Sequence, residues 1–215
     1  SAASDVYKRQ ILGRNPIDIE KLWFEVYRDS YWKGGPVMMS ALSGIEIACW
    51  DIAGKFYNTP VCNLIGGRMR EKVPMYANAW FSGARTPENF AQKAKYTVSK
   101  GVKALKWDPF GKAHMTLSRH EMDEAVACVG AVRDAVGWDV ELLIECHGRF
   151  NHFTAVNMSK ELAQFKPMLI EEPTVPDCID SLKWVRDHSA IPVAAGERFY
   201  GKYAFWDVLH KEAVD

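Results

Sequence analysis

The sequence predicts an α/β fold: a partial (β/α) barrel of the TIM type, about its first five strands, preceded by helices. Three observations carry this. From residue 71 onward, short apolar runs alternate with helical stretches. Consecutive βα units imply a parallel sheet, because each strand needs a crossover connection to lie parallel with its neighbour. Charged residues recur at the strand ends, and no strand is followed by a GxGxxG or GxxxxGK[ST] run, which disfavours a nucleotide-binding doubly wound sheet and favours a barrel.

Residues 1–10 (SAASDVYKRQ) carry no periodicity that connects to the next segment and are expected to be disordered or a cloning artefact. Residues 11–70 read as helical. Ile19, Leu22, Trp23, Val26 and Tyr27 lie on one face of a helix over 17–32, which Gly34-Gly35-Pro36 ends. Val37, Met38, Ala41, Ile45, Ala48, Cys49, Ile52 and Phe56 recur at helical spacing over 37–57, a long and well-buried second helix that Thr59-Pro60 breaks.

Residues 71–215 form the barrel segment. The first strand spans 73–80; Thr86-Pro87-Glu88 starts a helix with an N-cap and a proline in its first turn, and Gly101 closes it. The second strand spans 102–108. Ser118 with Glu121 makes a capping box for a helix that runs to 136 and stops at Gly137. Strands over 140–147, 168–172 and 192–197 come next, with helices over 154–165, 177–188 and 203–212. Residues 213–215 resemble the approach to a sixth strand. A closed barrel needs about eight, so a truncated barrel is expected.

Composition narrows the functions. Hydrophobic residues make up 48% and charged residues 25%, ordinary values for a globular core. Lys plus Arg and Asp plus Glu number 27 each, which removes the electrostatic case for nucleic acid or an anionic membrane. A small molecule is the default partner. Five cysteines, with no CxxC spacing, read as reduced thiols of a cytoplasmic protein. No apolar run approaches the ~20 residues that span a bilayer, and the first residues lack a secretory pattern.

Strand alternation then sorts the charged tips. Glu145 and His147 share a face of their strand, Glu171 opposes Glu172 on the next, and Glu197 lies with Val193 and Ala195 on the last. A constant 26 residues separates Glu145, Glu171 and Glu197, which puts each at the same place in its βα unit. Neighbouring strands lie ~4.8 Å apart, so three inward carboxylates at one height repel unless a cation neutralises them. An all-oxygen set selects a hard ion: Mg²⁺, with Mn²⁺ as the alternative. One such glutamate is as readily a solvated rim residue; three in register argue for a metal or catalytic site.

The other tips are less determined. Lys106 and Asp108 share a face; Lys106 either reaches the metal cavity, where an ammonium stabilises charge developing on a substrate, or pairs with Asp108 or a ligand glutamate as structure. His147 lies two residues after a ligand and reads as an acid/base group. Arg149 and Arg198 either hold a substrate carboxylate or hydroxyls, or brace the glutamates. Glu172 reads as a partner of the ligands or a salt-bridge residue behind its strand, the latter favoured.

Several runs together resemble the enolase superfamily, in the mandelate racemase and muconate lactonizing enzyme branch. ALSGIEIACWDIAGK at 41–55 is similar to a helix of its N-terminal capping domain, LIGGR at 64–68 to the exit into the barrel, and IEEP at 170–173 and GER at 196–198 to its second and third metal-ligand motifs. Sites of that superfamily are known to pair a Lys or His base with magnesium to stabilise an ene-diolate. ECHGRF at 145–150 resembles the galactonate dehydratase type of acid-sugar dehydratase.

That resemblance implies a hydro-lyase removing water from an aldonate, such as galactonate or gluconate, through an enolate to a 2-keto-3-deoxy acid. His147 is then the general acid, Glu145, Glu171 and Glu197 the Mg²⁺ ligands, Lys106 an electrostatic helper, and Asp108, Arg149 and Arg198 substrate contacts. The general base is expected beyond residue 215, and the full-length protein is expected to be a homo-oligomer. Two departures from the pattern stand out: Glu145 replaces the usual Asp, and Asp108 stands where racemases place a second lysine. A racemase or epimerase, a cycloisomerase, and a non-catalytic sugar-acid-binding relative remain the alternatives.

Overall fold

Residues Pro74–Asp215 build the parallel sheet that the βα alternation predicts, with four strands rather than five. The structure, a computed structural model, describes residues 2–31 and 33–215, with side chains from Tyr7 onward. The expected helix end at Trp32 and the first residue, Ser1, lie outside the described residues. The chain divides into two units, Ser1–Val73 and Pro74–Asp215.

The first unit is helical: α1 (Ala2–Ile11), α2 (Ile19–Asp29), α3 (Gly35–Phe56) and a single turn, α4 (Val61–Leu64). Helix α1 corrects the expectation of disorder over 1–10. Tyr7 and Ile11 sit one turn apart, an apolar edge too brief to read as periodicity, yet Tyr7 is buried with Leu22, Val26 and Leu42. Helix α3 buries Met39, Leu42, Cys49 and Ala53, while Val37, Ile52 and Phe56 are exposed. Its packed stripe is thus rotated from the one expected, and the helix is half-covered rather than well buried. At 22 residues it is also long and apolar enough to cross a membrane by length and composition, which corrects the expectation that no such run exists. Gly54 lets the chain fold tightly after it, because a Cβ there would meet the Thr59 carbonyl at 3.0 Å.

In the second unit, α5 (Pro87–Val98) precedes β1 (Ala104–Trp107), α6 (Arg119–Val136), β2 (Glu141–Glu145) and α7 (His152–Leu162), which tightens into a 3₁₀ turn at Ala163–Phe165. Then come β3 (Leu169–Glu171), α8 (Ile179–His188), β4 (Val193–Ala194) and α9 (Gly201–His210). The four strands pair in parallel in the order β1-β2-β3-β4, a partial barrel wall with the helices at its back. Leu105, Trp107, Leu142, Ile144 and Ile170 share one face of the strands and are buried there against the helices.

The strand expected over 73–80 survives as one parallel bridge, Ala77 to Leu105. The Ala77 N–H donates to the Ala104 carbonyl at 2.8 Å and the Lys106 N–H to the Ala77 carbonyl at 3.0 Å. Pairing ends there because Ala79 turns to φ +56°, its N–H held by Asn78 Oδ1 at 2.7 Å. No strand forms at 213–215 either, although the Asp215 N–H donates to the Val193 carbonyl and the Val193 N–H to Asp215 Oδ2, both at 2.9 Å.

Helix starts follow the predicted chemistry. Thr86 Oγ1 accepts from the Asn89 N–H, and Ser118 and Glu121 form a reciprocal capping box, each side chain satisfying the other's free N–H. Buried Arg133 donates to the carbonyls of Gly137, Val140, Phe165 and Lys166, tying the end of α6 to the following strand and the 3₁₀ turn. The capping box is testable: Ser118→Ala should cost about 1 kcal/mol, read as a lower urea midpoint at unchanged slope. Adding Glu121→Ala should cost less than the two single changes summed, because the two residues act as a unit.

Candidate active site

The ends of β1, β2 and β3 bring an ammonium and two carboxylates together. Glu145 pairs in register with Glu171, so their side chains leave adjacent strands at one height. Lys106 pairs with Leu143, two residues lower, and its long stem rises to place Nζ 2.7 Å from Glu145 Oε2 and 2.7 Å from Glu171 Oε2. Lys106 and Glu145 are buried. Burial alone disfavours the ammonium, but hydrogen bonds and charge from both glutamates outweigh it and hold its pKa above the ordinary lysine value. Lys106 thus pairs with the two glutamates and not with Asp108.

Glu197 joins them differently. Ala194, not Glu197, pairs with Glu171, so the equal 26-residue spacing does not mean equal height. Strand β4 ends at Ala194, and Glu197 returns to the cluster from the following turn, half-exposed, with an oxygen within 4.8 Å of ligand atoms of Glu145 and Glu171. Three carboxylates converge beside one buried ammonium, so negative charge predominates where their oxygens meet. The donor set is all oxygen, as hard cations require. The cluster therefore fits a divalent metal, held by Glu145, Glu171 and Glu197.

The strand ends also turn sooner than alternation assumed. His147 lies outside β2 at φ +52°, its N–H donating to Glu145 Oε1 at 2.7 Å. Its position near the ligand comes from that turn, not from a continued strand. Its Nδ1 lies 2.7 Å from Asp108 Oδ2, and its carbonyl accepts from Arg198 Nη2. Gly148 comes next at φ +62°, the left-handed region that favours glycine, and a Cβ there would displace the Arg198 guanidinium.

The arginines brace rather than stand open. Arg149 donates from Nε to the Cys146 carbonyl at 3.1 Å, from Nη1 to the Gly111 and Ala113 carbonyls at 3.1 and 3.3 Å, and from Nη2 to Asp108. Arg198 holds the His147 carbonyl and lies 3.8 Å from Glu197. Glu172 corrects the salt-bridge reading: it is buried at φ +46° and accepts the Gly196 N–H at 2.8 Å, which fixes the turn that carries Glu197. Burial raises its pKa. Two neighbours escaped sequence reasoning: the Tyr76 ring lies 5.6 Å from Lys106 Nζ, and the Trp80 indole donates to the Lys106 carbonyl at 3.0 Å. Both lie in the expected first strand with nothing local to single them out.

A partial parallel barrel with a carboxylate cluster at the C-terminal ends of its strands falls in the class of barrel folds that build their sites at that end. Comparisons with known proteins narrow it. Residues 89–215 match the family described as enolase C-terminal domain-like, and residues 2–66 match the mandelate racemase / muconate lactonizing enzyme N-terminal domain. The chain belongs to the mandelate racemase/muconate lactonizing enzyme branch of the enolase superfamily.

It is 40% identical over 208 residues to the D-gluconate dehydratase of Thermoproteus tenax, covering 96% of this chain and 42% of that protein. With the D-gluconate/D-galactonate dehydratase of Picrophilus torridus it shares 37% over 209 residues, 97% of this chain and 54% of that one. A crystal structure of an enolase superfamily member from Salmonella Typhimurium superposes with a TM-score of 0.92 at 29% identity, covering 99% of this chain and 60% of that chain. The chain spans about half the length of the curated relatives it matches.

Charge compensation at this site gives a measurable expectation. In Lys106→Met, Glu145 and Glu171 lose their shared counter-ion, and breaking a buried pair costs roughly 3–5 kcal/mol. A divalent cation should then restore more stability to the variant than to the unsubstituted chain. The Mg²⁺-induced rise in melting temperature measures this; an equal rise in both would separate Lys106 from the cation site.

Proposed function

We propose that the full-length protein is a Mg²⁺-dependent acid-sugar dehydratase, a hydro-lyase that takes water from an aldonate such as gluconate or galactonate to give a 2-keto-3-deoxy acid. The observation that carries this is the placement of His147 beside a three-carboxylate cluster, on a turn held to the first ligand. Relatives at 37–40% identity that are named gluconate and galactonate dehydratases support it. Mn²⁺ is the alternative cation. The five free thiols suit a reducing, cytoplasmic setting.

In this reading Glu145, Glu171 and Glu197 hold the cation, which when bound supplies electrostatic stabilisation of a substrate carboxylate and of the negative charge that grows on it as the α-proton leaves. Lys106, held between Glu145 and Glu171, adds a positive charge at the same place. His147 gives a proton to the departing 3-hydroxyl, so the C3–O bond breaks with water as leaving group. Arg198 holds the His147 backbone in place for this. No residue of this chain is assigned to removing the proton at C2.

The test is product formation by the full-length protein with Mg²⁺ over a panel of aldonates and aldarates. A 2-keto-3-deoxy acid should form from at least one aldonate. His147→Gln should slow that reaction by about 10²- to 10⁴-fold, the range for losing a general acid. No such product from any substrate, or dehydration at an unchanged rate in His147→Gln, defeats the proposal.

A further inference from the structure

We propose that Asp108 and Arg149 are positioning residues for His147: they hold its ring with the proton on Nδ1 and leave Nε2 as the nitrogen offered to substrate. This rests on the dehydratase reading for its consequence, though not for its geometry. It replaces the expectation that both residues contact the sugar.

The geometry converges on one oxygen. Asp108 Oδ2 lies 2.7 Å from His147 Nδ1 and also accepts from Arg149 Nη2, while Oδ1 accepts the Phe110 N–H at 2.9 Å. An ionised carboxylate only accepts, so a bare Nδ1 at 2.7 Å would set lone pair against lone pair. Arg149 Nη2 lies 3.3 Å from the same Nδ1 and is better placed on Asp108. The Nδ1–H tautomer satisfies all three groups at once, and the hydrogen bond at one ring nitrogen decides the state of the other.

Arg149 makes this arrangement rigid. Its other donors reach carbonyls on both sides, Gly111 and Ala113 after β1 and Cys146 after β2. The turn carrying Asp108 is thereby tied to the turn carrying His147. That leaves little of the guanidinium for a ligand. The His147 backbone is held independently, through its N–H on Glu145 and its carbonyl on Arg198. Among the described residues Nε2 has no hydrogen-bond partner.

The proton balance agrees. A doubly protonated His147 that gives its Nε2 proton to the departing hydroxyl becomes the neutral Nδ1–H tautomer. That is the form Asp108 holds, so no ring flip is needed after the step.

Two readouts test the proposal in the full-length, Mg²⁺-loaded protein. Long-range ¹H–¹⁵N spectra of the neutral His147 ring should report Nδ1–H in the unsubstituted protein, and a mixture or Nε2–H in Asp108→Asn. Nε2–H in the unsubstituted protein overturns the proposal. In kinetics, Asp108→Asn should lower kcat on the aldonate by about 10²-fold or more, as a wrong tautomer does elsewhere, with KM nearly unchanged. A 3-deoxy-3-fluoro aldonate, whose fluoride leaves without needing a proton, should lose far less rate.

Equal losses on both substrates would mark Asp108 as merely structural, and a raised KM with unchanged kcat would restore it as a sugar contact; either overturns the proposal. An Nδ1–H tautomer in a protein that turns over no aldonate retires the dehydratase reading instead, leaving the positioning geometry standing.

Discussion

The site depends on one constraint: two carboxylates forced side by side by strand register must be compensated. Glu145 and Glu171 face each other across β2 and β3 because parallel pairing puts them level, and neither can retreat without shifting a strand. Lys106 meets the requirement from β1, starting two residues lower and using its aliphatic stem to rise about 6–7 Å along the neighbouring strand. The ammonium satisfies one charge of the pair. The remaining charge, with that of Glu197, is what a divalent cation would meet.

The same constraint accompanies turns of the chain two residues after Glu145 and directly after Glu171. His147 and Glu172 adopt left-handed backbone angles, which cost non-glycine residues on the order of 1–3 kcal/mol each. That cost is offset by hydrogen bonds the turns make possible. The His147 N–H caps Glu145, the Gly148 N–H donates to the Glu172 carbonyl at 2.6 Å, and the Glu172 N–H donates to the Ala194 carbonyl at 2.9 Å. The Glu172 carboxylate then receives the Gly196 N–H. Each turn is stitched to the next strand, so the three ligands are located by one continuous set of backbone contacts.

Legibility in the sequence tracked the range of the interaction. Caps at Thr86 and Ser118 act over three residues and could be read directly. The level pairing of Glu145 with Glu171 agrees with their 26-residue spacing, but the same spacing from Glu171 to Glu197 does not preserve register. Glu197 joins the cluster from a turn rather than from a strand position, which strand alternation does not express. The packed face of α3 and the burial of Tyr7 depend on which helices meet, which periodicity alone does not specify. The roles of Asp108, Arg149 and Glu172 were the hardest. Asp108 meets His147 and Arg149 across 39 and 41 positions and Glu172 meets Gly196 across 24, and residue type names the chemistry available without naming who receives it.

Asp108 shows what a single identity can change. A lysine there, as in the racemase pattern, would put a second ammonium beside Lys106 and repel Arg149, whose other donors are already committed to three carbonyls. Aspartate instead neutralises Arg149 and meets the His147 ring on one oxygen. Positive charge on this side of the cluster is thereby confined to Lys106, and the imidazole acquires a fixed orientation. The substitution that weakens a lysine-base mechanism is thus the one that builds a held histidine, and the two features of the site have a common physical origin.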